Sequence, residues 1–483
     1  MRRRTYRRTH GRTYRCTYGL LAALALALAA CTGGGTGDQG QPGDSVAPGS
    51  ARDIVVASGR DVTGKGGVRE QLIDAWNAQQ DAKKTHLHAR LVELPGSADE
   101  QRSQLLGALQ SNSAQYDVVN LDVTWVPEFA DAGLISPLRK ELIDSDVIKS
   151  VASTASWGGK VYAVPFNSDV GLLYYRRDYL KKASVRKTDL KGIDWQGLQG
   201  LITTLAQRDK DLPKAYENGW TTQFGAYEGR TVGGVEAFAS AMGGKGLTDA
   251  DGRYTASVEQ LKDGLTELRR RTQASYLLPD ALHSDEAESL TDFADGRTAF
   301  LRHWPYAYRT LYQSFDETQL DVAPLPGKSV LGGQNLAVTK ASGQAAAARE
   351  LIRFLTDRES ERCLLDAGFA ATRVSAYQGD DVTCTSARTS SASRAPSSSS
   401  SGSGSGESAD RMPRDAQGRP KYATKTLLPA LQNAVQRPRT PLYGAFTQTF
   451  TTELGKLFTD RAPSDAALAE ELDQALKGVL PNG

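Results

Sequence analysis

The sequence is poor in side chains that hold metals or carry redox chemistry, with five histidines and four cysteines among 483 residues. His86 and His88 share a strand face, but no further ligand cluster lies near them, so they read as solvated histidines. The stretch "DADG" at 249–252 begins like a calcium loop but lacks the later oxygen ligands and the closing glutamate, which leaves a simple turn. "GKGG" at 64–67 lacks the Lys-Ser/Thr ending of a phosphate-binding loop. The apolar run "LLAALALALAA" at 20–30 falls short of the about 20 residues needed to span a bilayer. No strong internal repeat is present. No metal or cofactor is therefore expected.

What is there begins with a basic leader. "MRRRTYRRTHGRTYRCTYG" carries seven arginines and no acid ahead of the apolar run, followed by "LAAC" at Cys31. A basic segment, a short apolar segment and small residues at the cut make residues 1–30 a signal peptide. Small residues directly before a cysteine resemble a bacterial lipobox, in which Cys31 becomes the lipidated first residue. Residues 31–52, rich in glycine, then form a flexible tether. Removing the seven arginines from 58 basic residues leaves 51 against 56 acidic ones, a mature charge near −5. Nucleic acid is not an expected partner. Cys16 leaves with the leader and Cys31 takes the lipid. In an oxidising compartment, Cys363 and Cys384 then pair most simply as a disulfide, worth about 3 kcal/mol by loop-closure entropy. A reactive thiol pair or a metal site is the alternative for these two cysteines, weakened because no further ligand lies close in sequence.

With 483 residues, the chain is long enough for two lobes. From residue 53 the pattern is β-α-β-α-β. "DIVVAS" reads as a strand, and apolar residues at 68, 72, 73 and 76 make a helical stripe. "THLHARLVEL" alternates like a strand, Ser97 with Glu100 is a capping box for the next helix, and "YDVVNLD" is a third strand. Strands alternating with helices predict mostly parallel sheets flanked by helices, with ligands gathering beyond the strands' carboxyl ends. Asp122 and Trp125 stand at such an end, in "LDVTW". Residues 385–412, rich in serine and glycine, read as a disordered insert. The last helix starts at Ser464, with Leu468, Leu472, Leu476 and Leu480 on one face.

Six stretches, "YDVVNLDVTWVPEFADAGLISPL", "GGKVYAVPFNSDVGLLYYRRDYL", "AYEGRTVGGVEAFASAMGG", "FADGRTAFLRHWPYAYR", "LGGQNLAVTKAS" and "QRPRTPLYGAF", occur in this order. Together they resemble the extracellular solute-binding lipoproteins of carbohydrate ABC transporters, of the maltose- and trehalose-binding type. The resemblance covers nearly all of 53–480 apart from the insert. It implies a two-lobed α/β fold of the periplasmic-binding-protein kind, with a sugar held in the cleft between lobes. The lobes are expected at 53–165 with 322–384, and at 166–321 with 413–483.

A sugar offers apolar C–H faces ringed by hydroxyls, so its site needs flat aromatics beside carboxylates and amides. Asp122 suits hydroxyl pairs as a charge-assisted acceptor. It also suits an N-cap for the following helix, and the resemblance tips it to the site. Trp125 either stacks on the ring or wedges that helix as a core residue. The resemblance makes Trp304 the second lobe's stacking tryptophan, with Tyr306 and Tyr308 as weaker candidates. It also places Tyr227, Glu228 and Gln104 at ligand contacts, and matches Arg437 to an arginine that reaches the cleft. Gly333 and Gln334 lie where related proteins carry "GGWN", so Gln334 puts an amide in place of an aromatic. Asn167 and Asp169 are either contacts or turn residues.

The expected function is capture of a sugar, of di- or oligosaccharide size, for delivery to the permease subunits of an ABC importer. The protein is expected to be a monomer held to the outer face of the membrane by its lipid. A polyamine or other small cationic solute is the alternative, since Asp122, Asp169 and Glu228 with aromatics would also cradle an amine. A secreted glycosidase using two of those carboxylates is a third reading. Resemblance to non-catalytic binders spans the chain, so no enzymatic activity is expected.

Overall fold

The computed structural model describes residues 53–60, 67–111, 114–185, 190–385 and 410–483. The expected signal peptide, Cys31, the tether and nearly all of the Ser/Gly-rich insert lie outside the described residues. Local structure follows the sequence patterns closely. Strand β1 (Ile54–Gly59) is buried almost throughout. The helix Val68–Lys83 buries Leu72, Ile73 and Trp76, and ends on Lys84 in the left-handed conformation. After β2 (Ala89–Leu94), the helix Ala98–Gln110 opens with the expected capping box. Ser97 accepts from the Glu100 N–H, and Glu100 accepts from the Ser97 N–H at 2.7 Å. Strand β3 (Val118–Asp122) then runs into the short helix Val126–Asp131.

The remaining strands are β4 (Ser156–Trp157), β5 (Lys160–Val161), β6 (Ala163–Val170), β7 (Leu172–Arg176), β8 (Asn218–Thr221), β9 (Thr298–His303), β10 (Leu320–Pro324) and β11 (Leu331–Val338). One large sheet has the order β2-β1-β3-β11-β6, the other β10-β7-β9-β8, and β4 pairs with β5 in a two-stranded sheet. The architecture is the two-lobed α/β arrangement, but the sheets are mixed, not mostly parallel. Parallel pairing joins β1 to β2 and β3, and β8 to β9, whereas β11 pairs antiparallel with β3 and β6, and β7 antiparallel with β9 and β10. The antiparallel members are the strands that carry the chain from one sheet to the other. A strand arriving from the neighbouring lobe enters its sheet from the opposite end to the local β-α-β strands.

The crossovers also lie later than expected. Strand β6 stays in the first sheet to Val170, and β7 starts in the second at Leu172, so the first crossing is at Gly171, not at 165. Strand β10 belongs to the second sheet, which moves the return from 322 to 325–330. A third segment joins these two: Leu331 N–H donates to the Val435 carbonyl at 2.7 Å, and Val435 N–H to the Ser329 carbonyl at 2.9 Å. The segment 413–483 is therefore not wholly a second-lobe element. Its helix Leu428–Asn433 sits against the first lobe, where Ser150 donates to the Leu431 carbonyl at 2.8 Å, while Tyr422, ahead of that helix, stacks on Tyr308 of the second lobe at 4.1 Å between ring centres. The helices Tyr443–Gly455 and Asp465–Val479 also pack on the second lobe, through contacts such as Phe238 against Phe450.

All three crossings meet at one buried ion pair. Glu236, on the helix Glu228–Ala241, and Arg302, on β9, are 3 % and 2 % exposed and share two contacts of 2.7 and 3.2 Å. Glu236 Oε1 also accepts from the Val330 N–H at 3.2 Å, and Ser329 donates to the Gly171 carbonyl at 2.8 Å. Gly171 is required by this crowding, because a Cβ there would lie 2.5 Å from Glu236 Oε1. Cys363, on the helix Arg358–Asp366, is disulfide-bonded to Cys384, the pairing that the cysteine count predicts.

Glu236→Ala strands the Arg302 guanidinium without its countercharge. It is expected to lower the unfolding free energy by about 3–5 kcal/mol, read as an earlier denaturant midpoint. Replacing Glu236 and Arg302 together by methionine is expected to cost less than Glu236→Ala alone.

Candidate functional site

A cavity of about 680 Å³ lies between the two sheets' carboxyl-end loops. Nine of the eleven expected contact residues line it: Asp122, Asn167, Asp169, Gly333 and Gln334 from the first lobe's strands, Tyr227, Glu228 and Trp304 from the second lobe, and Arg437 from the third crossing. Trp125 does not. It is 6 % exposed within the core, at the start of the helix Val126–Asp131, so the wedge reading holds. Gln104 does not either; it is exposed on the helix Ala98–Gln110, and the amide that lines the cavity is Gln101, one turn nearer the capped end.

Asp122 is occupied by the protein. Its Oδ1 accepts from the Thr124 N–H and hydroxyl at 2.8 and 2.7 Å, closing an Asx turn at the strand's exit. Arg437 Nη2 donates to both carboxylate oxygens at 2.8 and 3.0 Å. The other end of the same guanidinium reaches Glu228 Oε1 at 2.6 Å, and Glu228 also accepts from Tyr443 and, at 2.8 Å, from Thr447. Burial disfavours the charge on Arg437, yet the carboxylates of Asp122 and Glu228 hold its pKa well above that of an ordinary arginine. Arg437 thus ties a first-lobe strand end to a second-lobe helix start. Burial raises the carboxyl of Asp99, in the first turn of Ala98–Gln110, against a pull from the backbone of Glu228.

Arg69, on the first helical turn, organises the other side. It donates to Asn167 Oδ1 at 3.2 Å, Gln334 Oε1 at 3.0 Å and the Gly59 carbonyl at 3.0 Å. Gln334 is therefore held by an arginine where an indole would stand in "GGWN". Gly333, at φ 107°, is open only to glycine, and a Cβ there would sit 2.4 Å from the Asn167 carbonyl oxygen. Sequence reading missed Arg69, although a charged residue in the same turn as an apolar stripe at 68, 72, 73 and 76 is a usable signal.

Trp304 and Asp169 flank Gly332: a Cβ on that glycine would lie 3.2 Å from the indole and 3.1 Å from Asp169 Cβ. Arg302 covers one face of the indole at 3.9 Å from the ring centre, and Trp304 lines the cavity. Glu286, also missed, accepts from Trp304 Nε1 at 3.3 Å and from the Tyr227 hydroxyl at 2.7 Å. No side chain among the described residues donates to Asp169. Burial pushes its carboxyl up to about 7, against the pull of Arg69 and with a further push from Asp122.

A family profile described as bacterial extracellular solute-binding protein matches residues 71–389. A probable ABC transporter-binding protein of Deinococcus radiodurans is 29 % identical over 322 residues, covering 64 % of this chain and 73 % of that one. Among solved structures, the maltose-bound MalE3 of T. maritima superposes with a TM-score of 0.68 at 21 % identity, over 89 % of this chain and 100 % of that one. UgpB of Mycobacterium tuberculosis, in complex with glycerophosphocholine, gives 0.64 at 18 % identity, over 89 % and 98 %. The chain belongs to the bacterial extracellular solute-binding proteins. It is a substrate-binding protein of an ABC transporter, working outside the cytoplasm with permease components, and it does not transform what it binds.

Asp169 sets a pH test. Its unfolded-state carboxyl titrates near 3.8 and its folded-state one near 7, so between these values the folded protein keeps a proton that the unfolded chain releases. Stability is lost as pH rises through that window. Asp169→Asn is expected to match the parent's melting temperature near pH 4 and to exceed it by roughly 2–4 °C at pH 8, measured by calorimetry.

Proposed function

We propose that the protein captures a sugar of di- or oligosaccharide size in the interlobe cavity and delivers it to its membrane permease. The observation that carries this reading is the placement of Trp304 and the Asp169 carboxyl group side by side in the cavity wall. A flat apolar surface next to a hydrogen-bond acceptor matches a pyranose ring, whose C–H face is apolar and whose rim is hydroxyl. Asn167, Gln101 and Glu286 supply further polar contacts around that pair. The maltose in the T. maritima neighbour supports a solute of this class.

In this mechanism the solute enters between lobes that rotate about residue 171, residues 325–330 and Val435. Stacking on Trp304 orients the ring. Closure brings Asp122 onto Arg437, so this tie holds the lobes shut while the solute occupies the cavity. Asp122 is a positioning residue in this scheme, and Asp169 is the carboxylate that meets the solute. The moving bodies are 53–170 with 331–384, and 172–324 with 438–483. Residues 1–30 are cleaved as a signal, lipid on Cys31 anchors the protein to the outer face of the membrane, and it works as a monomer.

Titration calorimetry against maltose, trehalose, cellobiose, maltotriose and spermidine tests the reading. At least one sugar is expected to bind in the micromolar range, about −8 kcal/mol. Trp304→Ala is expected to weaken it by tenfold or more, and Asp122→Asn by about threefold through faster release. Binding of spermidine with none of the sugars sinks the proposal.

A further inference from the structure

Two carboxylates stand on either side of Trp304 without a cation among their own contacts. Glu286 takes only neutral donors, the indole N–H and the Tyr227 hydroxyl. Asp169, across Gly332 from the indole, receives no side-chain donor among the described residues. Tyr306 lies in the fields of both, and burial with the charges of Glu286 and Asp169 raises its phenol well above the ordinary range. Arg60 also lines the cavity but is exposed, and three other guanidiniums are committed to partners. Arg302 is bound to Glu236 beneath the ring, and Arg437 to Asp122 and Glu228. Arg69 donates to Ser58, Gly59, Asn167 and Gln334. Asp285 spends one carboxylate oxygen on capping its own helix.

Neutral hydroxyls do not balance such a site. Charge on a carboxylate withdrawn from water is costly, as at Asp169, and a solute that only donates hydroxyl hydrogen bonds leaves much of that cost in place. An ammonium group removes it, with charge-assisted hydrogen bonds to both carboxylates and with aromatic rings beside it. We propose that the captured sugar carries a protonated amine, held between Asp169 and Glu286 against Trp304 and Tyr306, so that the solute is an amino sugar. This rests on the sugar reading above and narrows it.

Matched pairs of solutes separate the two. D-Glucosamine with D-glucose, the chitosan disaccharide with cellobiose, and 2-amino-2-deoxytrehalose with trehalose are titrated into the whole protein at pH 7.5, in 0.05 and 0.5 M NaCl. In the pair that binds, the amine is expected to be at least tenfold tighter. Its advantage is expected to shrink at least threefold in the higher salt. Asp169→Asn and Glu286→Gln are each expected to cut the amine's advantage to less than threefold. Cooperative thermal unfolding shows that the variants fold, and Asp169→Glu is expected to restore part of the preference. A neutral sugar that binds as tightly as its amine overturns the proposal and leaves the sugar reading standing. Failure of every pair overturns both.

Discussion

The Glu236–Arg302 pair is the constraint around which both lobes are arranged. Two charges almost free of water contact are tolerable only when their geometry and hydrogen bonds are complete. Here completion draws in Val330 and Gln223 directly, and through Ser329 it reaches Gly171. Gly171 belongs to one crossing between the sheets, Ser329 and Val330 to another, and Val435, of the third, is hydrogen-bonded to Ser329 and Leu331. The pair therefore fixes where the chain passes from lobe to lobe. It also fixes the indole of Trp304, since Arg302 lies against one of its faces. Hinge and solute surface are thus joined by a single guanidinium.

Charge in the cavity is divided between two tasks. Arg437 absorbs Asp122 and Glu228, carboxylates from opposite lobes, and so turns a potential repulsion into a tie. Under the proposed mechanism Asp169 and Glu286 remain for a solute, so one arginine sorts four acidic residues that look equivalent in sequence into a mechanical pair and a recognition pair.

Much of this was legible beforehand. The β-α-β opening, the Ser97/Glu100 box and the leucine face of the last helix are local patterns, and local chemistry decides them. The disulfide followed from counting cysteines. Strand direction was not legible, because an apolar run reads the same whichever way the strand enters its sheet. The crossing at Gly171 was hidden for a related reason: "KVYAVPF" and "GLLYYRRDYL" are joined by only four residues, with no polar break at 165. Most of the residues that line the cavity were legible through resemblance. The role of Asp122 was not, since the arginine that occupies it comes 315 positions later. Gln104 and Gln101 lie on one polar helix face, and the phase that turns one to the cavity depends on packing against the other lobe.

The position of β11 carries one more consequence. It fills the gap between β3 and β6 in the first sheet, yet it is synthesised after the whole second sheet. Until residue 338 has been made, β3 and β6 have no partner on their facing edges, and the hinge lacks Val435 for almost a hundred residues more. Neither lobe has its full set of contacts in a nascent chain. A polypeptide built in this order acquires its non-local contacts late and remains, through most of its synthesis, a chain that a narrow translocation channel can still accept unfolded.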